Sequence, residues 1–253
     1  VWCFLTGQFL DRFQKEKASV IYFVGCVAAF YPMAHKIPQA FVQILNKAEV
    51  DFTILGGEEW CCGFPLIQAG MKDKMQKLIE HNQEKVKEVG AETVVFACPS
   101  CYHTWKEKYQ TDAELLHSTQ FIERLIGEGK IALRNGVDRA VTYHDPCDLG
   151  RNSKVFDAPR NILKKIPGLN LIELEGNRQL SVCCGGGGDL EMIDPALSSA
   201  IAQRKIEEIQ KTGTEEVVTS CQQCIRTISG YARKHKIKLK VRDITEVVLD
   251  AMG

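Results

Sequence analysis

The chain has 253 residues, 45% hydrophobic and 25% charged, enough to bury a core without covalent staples. Lysine plus arginine equals aspartate plus glutamate at 32 each, which removes the electrostatic case for nucleic acid as a main partner. No secretory signal or membrane span is legible. The longest uncharged stretch, 18–34, carries Gly25, Cys26 and Pro32 and reads as a buried strand and loop. The expected location is therefore cytoplasmic.

Residues 1–17 read as a helix or linker. An apolar β-rich run at 18–26 follows, then a helical pattern at 38–48 and a short strand at 51–55. An amphipathic helix at 73–89 ends at Gly90, a strand at 93–97 runs into Cys98, and the segment beyond Cys101 reads as helical. The second half repeats this order, with a strand at 139–143, a helix at 158–166 and a strand at 169–174. A long helix at 195–211 then ends at Gly213, and a strand at 216–220 meets Cys221. A helix from Cys224, a strand at 238–241 and a helix at 245–252 complete the chain, and the basic run at 233–242 reads as a solvated helix end and strand. Alternating strands and helices imply parallel sheets flanked by helices. The expectation is an α/β fold of two duplicated, pseudo-twofold-related lobes, 18–130 and 137–253.

Ten of the eleven cysteines obey the same repeat. Cys26, Cys61-Cys62-Gly63 and Cys98-x-x-Cys101 are matched by Cys147, Cys183-Cys184-Gly185 and Cys221-x-x-Cys224. The spacing is 121 residues from Cys26 to Cys147, 122 from Cys61 to Cys183 and 123 from Cys98 to Cys221. Only Cys3 stands outside, and it reads as an ordinary free thiol. Each group follows the carboxyl end of a strand, the edge where open α/β sheets bind ligands, so three distant loops should converge on one site per lobe.

Soft thiolates select zinc, copper(I) or iron-sulfur clusters. Structural zinc takes four ligands, usually from two short cysteine pairs. Five thiols per lobe, two of them adjacent, suit a multi-iron cluster better. Gly63 and the run Gly185, Gly186, Gly187, Gly188 would let backbone N–H groups approach cluster sulfides. Zinc and disulfides remain the alternatives, the latter disfavoured because nothing marks the chain as secreted.

The repeated cysteine pattern resembles that of the CCG-domain proteins, which include the catalytic subunit of heterodisulfide reductase and iron-sulfur subunits of glycolate, lactate and glycerol-3-phosphate oxidoreductases. The resemblance spans about 19–243, and no cysteine of either motif is missing. It implies two noncubane 4Fe-4S clusters, ligated by Cys26, Cys61, Cys62, Cys98 and Cys101 and by Cys147, Cys183, Cys184, Cys221 and Cys224. It further implies that paired clusters cleave a small-molecule or protein disulfide, each cluster taking one sulfur and supplying one electron. Redox partners are implied too: a flavoprotein, a ferredoxin-type subunit or domain upstream of residue 1, or a quinone-linked subunit that would hold the chain at the inner face of a membrane. One departure bears on substrate: Asp148 follows Cys147 where heterodisulfide reductases place a histidine.

His144 and His103, three residues before and two after ligand cysteines, are candidate proton sources or donors to the clusters, with Asp148 as a third candidate. Each histidine could instead be a satisfied polar residue on a loop. Trp60 reads as core, and Asp145-Pro146 as the turn presenting Cys147. No G-x-G-x-x-G, P-loop or H-E-x-x-H is present, so electrons must come from or go to another protein. Three functions stay open: a disulfide reductase subunit, an electron-relay subunit of a hydroxyacid or flavoprotein:quinone oxidoreductase, and a zinc-binding thiol module.

Overall fold

A computed structural model describes residues 9–253, so residues 1–8, with Cys3 and the start of the expected N-terminal segment, lie outside the described residues. Two four-stranded parallel sheets carry the fold. The first contains β1 (Val20–Phe23), β2 (Phe52–Ile54), β3 (Thr93–Phe96) and β4 (Glu114–His117) in the order β2-β1-β3-β4. The second contains β5 (Arg139–His144), β6 (Leu169–Glu173), β7 (Glu216–Thr219) and β8 (Lys240–Asp243) in the matching order β6-β5-β7-β8. In each the chain leaves the first strand toward one neighbour and later returns to the other, which opens a crevice at the carboxyl ends of β1 and β3, or of β5 and β7.

Strand alternation assigns the two faces of each sheet. Val20, Tyr22 and Val24 join the largest apolar core, whereas Ile21 and Phe23 pack on the first lobe's own helices. The largest core is shared: α2 (Lys36–Lys47) supplies Ile37, Phe41 and Ile44, and the C-terminal helix α11 (Ile244–Met252) supplies Val247, Val248 and Ala251 from the other lobe. Tyr22 and Phe41 meet edge to face at 4.8 Å. Each such large side chain contributes about 1.5–3 kcal/mol by leaving water, so separating the lobes would expose most of this core. The connection between the sheets is also fixed, because Arg134 and Asn135 donate their N–H groups to Ala251 O at 2.9 and 3.0 Å.

The segment expected to be helical beyond Cys101 divides into three. Helix α5 (Pro99–Lys108) stops at Tyr109, strand β4 follows, and α6 (Ser118–Gly127) begins with a capping box in which His117 Nδ1 accepts from Thr119 N. Four residues, Glu-Leu-Leu-His, carry too little periodicity to register as a strand; the edge of β3 decides their conformation by pairing with them. The counterpart at β8 was legible, so the internal repeat was an available signal from which β4 could have been found.

Candidate metal centre

The cysteines sit where chain and sheet geometry put them. Cys26 opens α1 (Cys26–Phe30) just past β1, while Cys61 and Cys62 precede α3 (Phe64–Gln68) after β2. Cys98 caps α5, with Cys101 one turn inside. In the second lobe Cys147 opens the turn Asp148–Asn152 after β5, and Cys183 and Cys184 follow β6. Cys221 caps α10 (Gln222–Lys234), its Sγ accepting from Cys224 N at 3.4 Å. All ten are free thiols. A cysteine at a helix N-terminus is readily held as thiolate, since the helix presents unpaired N–H groups there.

Within each lobe the sulfurs form a connected set. Cys61 accepts from Cys26 and Cys62, and Cys101 bonds to both Cys62 and Cys98. The second lobe repeats the chain, with Cys147 and Cys184 on Cys183, and Cys184 Sγ 3.3 Å from Cys224 Sγ. These contacts pull Cys61 down to about 3 and Cys183 to about 2, led by the bonds from Cys26 and Cys147, whose own thiols are pushed up in return. Gly63 N and Gly185 N add bonds to Cys61 Sγ and Cys183 Sγ at 3.5 and 3.3 Å. Both glycines stand at φ +89, a conformation that side chains disfavour, so the third residue of Cys-Cys-Gly sets the hydrogen bond.

One cavity of about 210 Å³ lies between the lobes, and nine of the ten cysteines line it, all but Cys61. The first lobe gives it an apolar wall with Val27, Tyr31, Phe64 and Pro65; the second gives Asp148, Gly186, Gly187, Glu191, Gln223 and Arg226. A Cβ on Gly186 would lie 1.9 Å from Thr227 Oγ1, so glycine is demanded there by space; Gly187 is open.

Of the three candidate proton carriers, only Asp148 faces this cavity. Its Oδ2 accepts from Ser100 Oγ of the other lobe at 2.5 Å and its Oδ1 from Asn152 at 2.8 Å. His103 lies on α5 with Nδ1 3.5 Å from Ser153 Oγ, outside the cavity wall. His144 ends β5 rather than sitting on a loop, is buried, and has no hydrogen bond to either ring nitrogen. Desolvation pushes it down to about 3. A ring nitrogen of His144 and the sulfurs of Cys184 and Cys224 all lie within 4.8 Å of one another.

Trp60 is not core: it is 41% exposed and stacks on His81 at 3.8 Å, because the loop before Cys61 turns outward. Asp145 does shape the turn before Cys147, through a device that sequence reasoning missed. Arg160 grips its carboxylate with two bonds of 2.7 and 2.8 Å, and Arg178 N adds a third at 2.8 Å. Glu59 plays the corresponding part in the first lobe, accepting from Val24 N and Gly25 N at 2.7 Å each, and burial pushes it up to about 7. Gln222 was missed as well. It crosses between lobes, donating to Val24 O at 2.8 Å and accepting from Ala28 N, a first-turn donor of α1, at 3.1 Å. Arg226, the one cation on the cavity wall among the described residues, pairs with Glu191 and lies 4.4 Å over the Tyr31 ring. No one-dimensional spacing marks these residues.

Converging free thiols, buried or half-buried and supplied with backbone N–H donors, fit a soft-metal cluster in each lobe, and the buried, unpartnered nitrogens of His144 face such a group without conflict. Fold and site together define a two-lobed α/β protein with a cysteine cage on each side of one cavity. The chain belongs to the CCG family, whose cysteine-rich domain matches residues 20–106 and 141–229. It is 35% identical over 248 residues to a subunit of the dihydromethanophenazine:CoB–CoM heterodisulfide reductase of Methanosarcina mazei, covering 94% of this chain and 60% of that protein. It is 32% identical over 250 residues to the EtfAB:quinone oxidoreductase of Syntrophomonas wolfei, covering 94% of this chain and 35% of that protein. The chain thus spans only part of the curated relatives it matches. A solved structure of a hypothetical protein from Helicobacter pylori shares the fold at TM-score 0.65 and 10% identity, covering 98% of this chain and 53% of that one. No helix among the described residues is long and apolar enough to cross a membrane.

Proposed function

We propose that this chain is the cluster-binding part of an iron-sulfur oxidoreductase that reduces a disulfide in the cavity between its lobes. The observation that carries this reading is that both cysteine cages open on the same cavity. Two noncubane 4Fe-4S clusters, one on each set of five cysteines, would supply one electron each and iron to hold each departing thiolate. The protein's own part is to shape and dry the space. Tyr31, Phe64 and Met192 supply apolar wall, Arg226 offers a cation to an acidic substrate, and Asp148, Asp189 and Glu191 are the carboxyl groups that line it. On this reading residues 1–17 are an N-terminal helix or linker, 18–130 and 137–253 are the two lobes, and redox partner subunits deliver electrons, at a cytoplasmic membrane face or free of it.

The second reading is an electron relay that touches no substrate, favoured by the similarity to EtfAB:quinone oxidoreductase. The full-length protein, purified without oxygen, separates the two. Iron and acid-labile sulfide near four atoms of each per cage are expected, and electron paramagnetic resonance should change on adding a substrate heterodisulfide. Zinc in place of iron ends both readings. Silence with every thiol pair, together with turnover from a flavoprotein donor, selects the relay.

A further inference from the structure

The two cages are surrounded unequally, and matched positions in the repeat measure the inequality. Phe23 on β1 corresponds to His144 on β5. Phe23 packs against Phe96 and Trp105 at 5.5 Å each, so the first cage is backed by an aromatic wall. At the corresponding place in the second cage stands an imidazole within 4.8 Å of Cys184 and Cys224, buried and with neither nitrogen satisfied by protein. A buried polar group left so costs stability unless something absent from the polypeptide completes its bonding. Net charge does not separate the two cages in the same way, because the fully buried Lys205 is paired with Glu208 and Asp148 follows Cys147 where the first lobe has Val27.

We infer that His144 donates a ring N–H to a sulfur of the second-lobe cluster, and that this donor gives that cluster the higher reduction potential of the two. An N–H bond to sulfur stabilises a cluster more once an electron has been added. In a titration with dithionite, the first electron therefore enters the second-lobe cluster and the next enters the first-lobe cluster. This rests on the reading that both cages hold iron-sulfur clusters.

The test is a potentiometric titration of the full-length, oxygen-free protein followed by electron paramagnetic resonance, in wild type, His144→Phe and His144→Gln. His144→Phe copies the first lobe's residue. It should lower one midpoint by at least a tenfold change in the one-electron equilibrium constant, about 59 mV, and leave the other in place. His144→Gln keeps an N–H donor and should recover part of the shift. Should His144→Phe fail to assemble, 15N-histidine labelling of wild type decides: a weak nitrogen coupling to one cluster, lost in His144→Gln, supports the donor. No coupling, or coupling as large as that of a direct iron ligand, overturns it. Equal midpoints in wild type, or no shift in an iron-replete His144→Phe, overturn this inference alone. A wild type without iron overturns it together with the proposed function.

Discussion

The first lobe holds its Cys-Cys-Gly loop with a tyrosine-asparagine pair: Tyr109 donates to Cys62 O at 3.1 Å, and Asn82 reaches Cys61 O at 3.3 Å and Tyr109 Oη at 3.2 Å. The second holds the equivalent loop with Ser198, which donates to Gly185 O at 2.8 Å. The strand end before each first cysteine differs likewise, with one carboxylate, Glu59, in the first lobe and the buried Arg160–Asp145 pair in the second. Cysteine spacing is kept through the repeat while its supports are exchanged. What the duplication preserves is where the sulfurs must be; several local solutions deliver them there.

Breaking the second lobe's support should have the largest effect. Arg160→Met leaves Asp145 buried without its charge partner, and a loss of about 3–5 kcal/mol is expected in chemical denaturation. Glu59→Gln in the first lobe keeps one acceptor oxygen and should cost about 1 kcal/mol. Equal losses would show that the two devices are equivalent after all.

Gln222→Ala removes the one-sided bridge. With Val24 O and Ala28 N left unsatisfied, a loss of about 2 kcal/mol is expected. Both lobes should become more open to hydrogen exchange near 24–28 and 222–225. Protection unchanged at both segments would rule the bridge out as a coupling element.

Tyr109→Phe should cost about 1 kcal/mol, and iron should leave the first cage faster under chelator while the second keeps its own rate. Equal acceleration at both cages would mean that the loop supports are not private to their lobes.

The smallest effect is expected at a pair of helix caps. His117 and Asp243 both end a fourth strand and cap the helix that follows, yet they titrate with opposite sign. Burial pushes His117 down from 6.5 to about 3, so between those values the unfolded chain binds more protons and stability rises with pH. Burial pushes Asp243 up from 3.8 to about 7, so there the folded chain binds more protons and stability falls with pH. The two windows overlap between about 4 and 6.5, where the contributions oppose each other. Melting temperature across that range should slope down in His117→Asn and up in Asp243→Asn, each relative to wild type. Parallel slopes would refute the compensation.

Much of the fold was legible because each strong element carries its own period. The helix at 73–89 appears as α4 (Gln76–Val89), closed by Gly90 at φ +74, and the helix at 195–211 as α9 (Pro195–Gln210), capped by Asp194. The β4–α6 unit was not legible, since a four-residue edge strand depends on the neighbour it pairs with. Trp60 looked like core from composition and proved to be surface. His144 looked like a loop residue, but register places it at the strand end, on the face opposite Tyr143.

The sequence by itself determined the duplication, the alternation of strand and helix and the two sets of five thiols, because covalent spacing and periodicity are written along the chain. Only the tertiary structure decided that both sets open on one shared cavity and that a cross-lobe glutamine ties them. It alone put a histidine behind one cage and a phenylalanine behind the other. Those relations depend on which faces of the two sheets meet, and no residue carries that information before the shared core has formed.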